Sequence, residues 1–103
     1  MVIDSQPDMS MVAQASNGRE AIELFREHQP DVTLMDLRLP DMSGIEATIA
    51  IRTEFPEARI IILTTFDSQT ERQRALAAGA SAFVLKSPAR KLVDAIHQVV
   101  LGK

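Results

Sequence analysis

The segment Asp31–Gly44 reads DVTLMDLRLPDMSG, and it is the stretch that decides the fold class of this chain. Its first part, Val32–Met35, is an unbroken apolar and β-branched run, which is typical of a strand with both faces covered. Pro40 and Gly44 then mark a loop. Asp36 lies between the two, so the pattern places a carboxylate where a buried strand opens into a loop.

Two later segments repeat this arrangement. The run Ile60–Leu63 ends at Thr64, and the run Phe83–Leu85 ends at Lys86. A carboxylate, a hydroxyl and an ammonium group therefore each follow a predicted strand. Such a set suits the acceptance of a phosphoryl group, because a carboxylate can act as the nucleophile while cations and donors stabilise the charge on the transferred oxygens.

Short apolar runs alternate with amphipathic segments along the whole chain. The predicted strands are 11–13, 32–35, 59–63 and 82–86, and a helix follows each of them. Helix starts are marked by the Asn17–Glu20 capping-box pattern, by Ser68 or Asp67, and by Ser87-Pro88, and Gly79 marks a helix end. The order β-α-β-α-β-α-β-α predicts a parallel sheet with helices on both faces. Ligands and chemistry collect at the carboxyl ends of such strands, where Asp36, Thr64 and Lys86 are all expected.

Composition limits the class of protein. With 103 residues, 46% of them hydrophobic and 24% charged, the chain suits one globular domain. Cysteine is absent, which excludes disulfides and thiolate metal sites. No apolar run approaches the roughly 20 residues of a membrane helix, and no signal peptide is recognisable, so a cytoplasmic protein is expected. The net charge of −3 and the lack of a basic stripe with stacking aromatics argue against direct nucleic-acid binding.

Several of these segments resemble one known family. Asp31–Gly44 resembles the phosphoacceptor segment of response-regulator receiver domains, which belong to two-component systems. Leu63–Phe66 resembles their hydroxyl-bearing strand, and Ala78–Lys86 resembles the segment with their switch aromatic and their lysine. Ala15–Ala21 and Thr64–Asp67 are most similar to the NarL/LuxR branch of transcriptional response regulators.

The resemblance implies a role for individual residues. Asp36 would be phosphorylated by a sensor histidine kinase, Thr64 would hydrogen-bond the phosphoryl group, and Lys86 would pair with it. Phe83 would be the switch aromatic coupled to Thr64, although plain core packing explains a phenylalanine there equally well. Asp36 and the backbone carbonyl of Arg38 would bind Mg²⁺. The chain would then be a phosphoacceptor with at most self-catalysed phosphotransfer and dephosphorylation, not an enzyme acting on a separate substrate.

The resemblance runs from about Met9 to the C-terminus and implies a flavodoxin-like (CheY-like) α/β fold. In this family a first strand ending in two acidic residues, and then a first helix, come before the segment that begins at Met11. We therefore expect residues 1–103 to form a single receiver domain that is incomplete at its N-terminus, without that strand, helix and acidic pair. The Mg²⁺ site would then be weak or lost, and the family's DNA-binding output domain is not expected in this chain.

Two functions remain open on the sequence alone. The first is phosphorylation-dependent switching through Asp36. The second is a phosphorylation-independent interaction or dimerisation module, a pseudo-receiver fragment that forms a homodimer or a domain-swapped dimer, because unpaired strand edges invite pairing with another chain. A small-molecule binder has less support, since no Gly-rich phosphate loop is present. Asp41 is interpreted as a solvated loop residue.

Overall fold

The computed structural model of the chain describes residues 15–86 and 89–99. Helices and strands alternate in the following order: α1 (Gly18–His28), β1 (Thr33–Asp36), α2 (Gly44–Glu54), β2 (Ile60–Thr64), α3 (Gln69–Ala77), β3 (Ala82–Leu85) and α4 (Ala89–His97). The predicted strand 11–13 and the Ser87-Pro88 helix start lie outside the described residues. For the rest of the chain the predicted alternation is confirmed, with strand limits displaced by about one residue.

The three strands form one parallel sheet in the order β1-β2-β3, so β2 lies in the middle. In this register Asp36 pairs with Leu63 of β2, and Thr64 pairs with Leu85 of β3. The carboxyl ends of all three strands therefore meet at one edge of the sheet. This confirms the predicted parallel arrangement and sets the position of the candidate site.

Both faces of the sheet are covered by helices, and alternate residues of β2 face opposite sides. Ile60 and Ile62 belong to the larger core cluster, which includes residues of α1, α2 and α3. Ile61 and Leu63 belong to a second cluster with Ile96 of α4. All five residues of β2 are buried, as expected for a strand between two layers of helices. The predicted α/β architecture, a parallel sheet with helices on both faces, is therefore confirmed.

The start of α1 follows the predicted pattern only in part. The Asn17 side chain accepts a hydrogen bond from the backbone N–H of Glu20, as expected of an N-cap residue. The Glu20 carboxylate, however, accepts from the backbone N–H of Ser16 and not from that of Asn17. The helix ends at Gln29, which adopts a left-handed conformation with φ 42° and donates its backbone N–H to Phe25.

The starts of α2 and α3 flank the candidate site. A reciprocal capping box joins Ser43 and Glu46 at the start of α2. Ser68, rather than Asp67, is the N-cap of α3. Gly79 follows that helix with φ +106°, the left-handed conformation predicted for it. Within the parts of the chain that the structure describes, no helix combines the length and the apolar character needed to span a membrane.

Candidate functional site

The candidate site lies at the carboxyl edge of the sheet, where Lys86 reaches Asp36. Asp36 ends β1 and Lys86 follows β3, so β2 separates their backbones. The Lys86 backbone N–H donates to the Thr64 carbonyl at 2.8 Å, which attaches Lys86 to the end of β2. From there its Nζ lies 3.0 Å from Asp36 Oδ1. The structure thus brings together two of the three predicted site residues through the strand between them.

The carboxylate of Asp36 is partly open to solvent. The Asp36 side chain is 39% exposed and that of Lys86 is 36% exposed, and their contact has the distance of an ion pair without the geometry of a hydrogen bond. Oδ1 itself is buried under this contact, so the exposed part of the side chain lies in its other atoms. Ion pairs this exposed typically contribute about 0.2–1 kcal/mol to stability. The pair is therefore chiefly a feature of the site rather than a support of the fold.

The third predicted residue, Thr64, is buried but turned to its own loop. Its hydroxyl donates to the Phe66 carbonyl at 3.0 Å and accepts from the Phe66 backbone N–H at 3.2 Å. A threonine hydroxyl has a single proton to donate. While the hydroxyl donates this proton to the Phe66 carbonyl, it cannot donate it to a phosphoryl oxygen on Asp36.

The loop after β1 folds back on itself around Arg38. The backbone N–H of Leu39 donates to the Met42 carbonyl at 3.1 Å, and that of Gly44 donates to the Leu37 carbonyl at 2.6 Å. These two hydrogen bonds form a small antiparallel bridge, and neither of them uses the Arg38 carbonyl. The carbonyl predicted as a metal ligand is therefore not consumed by the loop's own bridge.

The tip of this loop is attached to α1 through Asp41. Its Oδ1 accepts from the backbone N–H of Gly18 at 2.7 Å, and its Oδ2 accepts from that of Arg19 at 3.0 Å. Helix N-termini carry N–H groups without a partner inside the helix, and a carboxylate satisfies them well. These hydrogen bonds lower the pKa of Asp41. Asp41 is an exposed loop residue, as interpreted from the sequence, and its two hydrogen bonds to the start of α1 are a contact that the sequence did not predict.

The predicted switch residue Phe83 is buried, with 5% of its surface exposed. Arg72 of α3 lies beside it: the guanidinium carbon is 5.0 Å from the ring centroid, and Nη1 donates to the Phe83 carbonyl at 3.1 Å. Arg72 also pairs with Asp67. Sequence reasoning missed Arg72 and named Asp67 only as a candidate helix start and as part of the Thr64–Asp67 segment, because no local pattern connects either residue with an aromatic residue on a later strand.

The described residues offer few ligands to a metal ion. Across residues 15–86 and 89–99, no group of three or more histidine, aspartate or glutamate side chains could hold one. The candidates are the Asp36 carboxylate and the Arg38 carbonyl, whereas Mg²⁺ takes six oxygens in a near-octahedral arrangement. These two donors would leave the other positions to water and phosphoryl oxygens, which makes a weak site. The predicted lack of an acidic pair concerns the residues before Ala15, outside the described ranges, and stays a prediction.

A parallel sheet with helices on both faces and a carboxylate–lysine pair at its carboxyl edge agrees with the CheY-like receiver domains that the sequence resembles. The chain matches the response regulator receiver domain family over residues 2–97. It is 36% identical over 102 residues to the response regulator protein VraR of Staphylococcus aureus, a match that covers 98% of this chain and 49% of VraR. The chain belongs to the response regulator receiver domain family.

Two solved structures of response regulators are similar to this chain. The structure of a LuxR-family two-component response regulator from Aurantimonas sp. SI85-9A1 has a TM-score of 0.93 and 40% identity, covering 97% of this chain and 72% of that one. The response regulator domain of Thermotoga maritima CheB has a TM-score of 0.87 and 34% identity, covering 95% and 81%. The predicted NarL/LuxR branch is confirmed.

Membership in the family establishes the general function. The chain is a receiver domain of the two-component response regulators. Receiver domains are generally phosphoacceptors rather than enzymes, they typically bind Mg²⁺ through acidic residues, and sensor histidine kinases phosphorylate response regulators. The chain spans about half the length of the curated relatives it matches.

The close approach of the loop to Asp36 generates a first prediction. A Cβ atom added to Gly44 would overlap the backbone carbonyl oxygen of Asp36, whereas one added to Gly18 would meet the side chain of Met42. Because backbone cannot move aside as a flexible side chain can, Gly44→Ala should lower the free energy of unfolding by about 1–3 kcal/mol. Gly18→Ala, the matched control at another helix start, should lower it by less. Urea denaturation of both variants checks this, and equal losses would contradict it.

The hydrogen bonds to Asp41 generate a prediction on pH. Because they lower its pKa in the folded protein below the ordinary value of 3.8, the charged carboxylate stabilises the fold above that pH. The stabilisation is lost as the pH falls through the folded-state pKa. Asp41→Asn has no charge to lose, so the variant should be less stable than the wild type near neutral pH, and the difference should shrink below pH 3.8. Urea denaturation at a series of pH values measures it; a difference that stays constant would refute this role of Asp41.

Proposed function

We propose that this receiver domain accepts its phosphoryl group on Asp36, with a sensor histidine kinase as the donor. The observation that carries the proposal is the 3.0 Å contact of Lys86 Nζ with Asp36 Oδ1 across the end of β2. A nucleophile at the carboxyl edge of a parallel sheet lies where such folds bind ligands. A neighbouring cation is already in place to stabilise the charge that arrives with the phosphoryl group.

In the proposed transfer, a carboxylate oxygen of Asp36 forms a bond to phosphorus. The bond between phosphorus and the imidazole nitrogen of the donor's phosphohistidine breaks, and its electron pair stays with that nitrogen. The product is an acyl phosphate on Asp36. Lys86 then exchanges part of its contact with the carboxylate for one with the new phosphoryl oxygens, which carry more charge. The protein supplies position and electrostatics, which is what phosphoryl transfer needs most.

Thr64 takes part after a change of hydrogen-bond partner. To donate to a phosphoryl oxygen, its hydroxyl must give up the Phe66 carbonyl that it now contacts at 3.0 Å. The phosphorylated and unphosphorylated states then differ in the contacts of the segment after β2, and such a difference is required of any switch. Arg72 contacts both Asp67 of that segment and the ring of Phe83, which is buried. Phe83 is the proposed aromatic partner in the switch.

We propose a Mg²⁺ site that is weak or lost. Asp36 and the carbonyl of Arg38 would hold the ion, and when bound it would neutralise charge on the phosphoryl oxygens. Because these two donors are too few for a protein-built site, none of the steps above depends on the ion.

The output of the whole protein is also a proposal. Since VraR is about twice as long as this chain, we propose that the receiver controls transcription through an attached DNA-binding part, as in the NarL/LuxR branch. We propose that the attached part, and not the receiver domain itself, contacts DNA. A cytoplasmic location, expected from the sequence, is part of the same proposal.

A second candidate function is a dimerisation module that works without phosphorylation. One observation favours it: β1 is hydrogen-bonded to β2 on one side, and no strand within residues 15–86 and 89–99 pairs with its other side. If the residues outside these ranges also leave that edge unpaired, it can accept a strand from a second copy of the chain. The proposed homodimer or domain-swapped dimer would use that edge.

Incubation with acetyl phosphate and Mg²⁺, followed by intact mass measurement, tests the first function. We expect the mass of one phosphoryl group to be gained by the wild type and by Asp31→Asn, a matched exposed aspartate before β1. Asp36→Asn should gain none, because its amide is not a nucleophile. A wild type that gains no mass even at high Mg²⁺ would reject phosphorylation on Asp36, and a concentration-dependent dimer in analytical ultracentrifugation would then support the second candidate.

The role of Lys86 is tested by its effect on rate. Replacing one preorganised charged donor at a transition state typically costs roughly 10²–10³ in rate, so Lys86→Ala should slow phosphorylation by about that factor. The fold should survive, because the ion pair is exposed and contributes little stability. Lys91→Ala, an exposed lysine of α4, is the matched control and should react at the wild-type rate. Equal rates for all three proteins would show that Lys86 has no part in the transfer.

A further inference from the structure

Arg72 of α3 makes three contacts that converge on Phe83 and on the segment after β2. Its guanidinium carbon lies 5.0 Å from the centroid of the Phe83 ring, within the range of a cation–π interaction. Its Nη1 donates to the backbone carbonyl of Phe83 at 3.1 Å. Its Nη2 lies 2.9 Å from Oδ1 of Asp67. One side chain therefore contacts the ring and the backbone of the candidate switch residue and a carboxylate of the preceding loop.

These contacts depend on the shape of arginine. The planar guanidinium group presents several N–H donors at fixed angles, so it can contact a ring face, a carbonyl and a carboxylate together. A lysine would place a single ammonium group at one of these partners and leave the others. The Arg72 side chain is about one third exposed while Phe83 is 5% exposed, so arginine covers the ring at the boundary between core and solvent.

The same contacts connect Phe83 to Thr64. Asp67 directly follows Phe66, whose backbone N–H and carbonyl both bond the Thr64 hydroxyl. A chain of contacts therefore runs from Thr64 through Phe66 and Asp67 to Arg72, and from Arg72 to Phe83. Displacement of the Thr64 hydroxyl would disturb this loop at the residue next to Asp67.

We infer that Arg72 is a positioning residue that holds the Phe83 ring in the core and makes its position depend on the segment Thr64–Asp67. The coupling to phosphorylation rests on the proposed function of Asp36, whereas the hold on the ring does not. Asp67 contributes less than Arg72, because its side chain is 60% exposed and solvent screens the ion pair.

The aromatic composition of the chain makes the position of the ring measurable. The chain has four phenylalanines and neither tryptophan nor tyrosine, so NMR spectra of ring-labelled phenylalanine contain four sets of signals. Phe66 is 74% exposed and serves as the internal reference for a solvated ring. Phe25 and Phe55, whose centroids are 5.1 Å apart, serve as references for packed rings. Substitution of Phe83 by leucine assigns its own signals.

Four variants separate the contacts. Arg72→Gln removes the charge and the planar guanidinium group with its several N–H donors. Arg72→Lys keeps the charge but not that group, and Asp67→Asn removes only the ion pair. Arg74→Gln is the matched control, because Arg74 is an exposed arginine of the same helix that pairs with Glu71. We expect the Phe83 signals to shift towards those of Phe66 most in Arg72→Gln, less in Arg72→Lys and least in Asp67→Asn. Arg74→Gln should leave them unchanged.

The inference is overturned if the Phe83 signals of Arg72→Gln match those of the wild type while its amide spectrum shows a folded protein, or if Arg74→Gln moves them equally. Should Arg72→Gln not fold, the milder Arg72→Lys and Asp67→Asn decide by the same comparison. Acetyl phosphate then tests the coupling: phosphorylation should shift the Phe83 signals of the wild type, and this shift should be lost in Arg72→Gln. A wild type that accepts no phosphoryl group rejects the proposed function, while the spectra before its addition still decide the hold of Arg72 on the ring.

Discussion

Parallel hydrogen bonding of β2 to a strand on each side is the constraint on which the rest of the structure depends. All five residues of β2 are buried, and fully burying one isoleucine side chain is worth about 1.5–3 kcal/mol. Because isoleucine or leucine points to each face, helices must cover both, and a slip of one residue would exchange the faces. The register that results puts the end of β1 and the residue after β3 at the same edge. The contact of Asp36 with Lys86 is a consequence of that register.

Two kinds of support surround this edge, and they differ in strength. The loop after Asp36 is held by its own backbone bridge and by the close approach of Gly44 to the Asp36 carbonyl. It is also held by the Asp41 carboxylate, which accepts hydrogen bonds from the first residues of α1. The first two contacts are local, whereas the hydrogen bonds of Asp41 to Gly18 and Arg19 join parts of the chain more than twenty residues apart. Thr64, in contrast, bonds only the backbone of a residue two positions away through its hydroxyl. This contrast between the supported loop after Asp36 and the locally bonded hydroxyl of Thr64 agrees with the switch that we propose.

Much of the fold could be predicted from local signals. The alternation of strands and helices, the N-caps Asn17 and Ser68, and the left-handed Gly79 all follow from residue types at short spacing. Strand limits were displaced by one residue, since apolar runs mark burial while strand limits depend on pairing with a neighbour. Arg72 could not be predicted as a partner of Phe83, because eleven residues separate them and the contact exists only once α3 packs beside β3.

The amino-acid sequence alone determined which residues end the strands, and therefore that a carboxylate, a hydroxyl and an ammonium group share one edge. It does so because the alternation of apolar runs and helices indicates parallel strands, and the carboxyl ends of parallel strands lie at one edge of the sheet. Only the tertiary structure decided which of these groups touch: Lys86 meets Asp36 at 3.0 Å, while the hydroxyl of Thr64 bonds Phe66. The physical reason is that contacts of a few ångströms depend on side-chain conformation and on loops packed against distant helices, as with Asp41 on α1. The local pattern of residues predicts neither the side-chain conformations nor the packing of these loops.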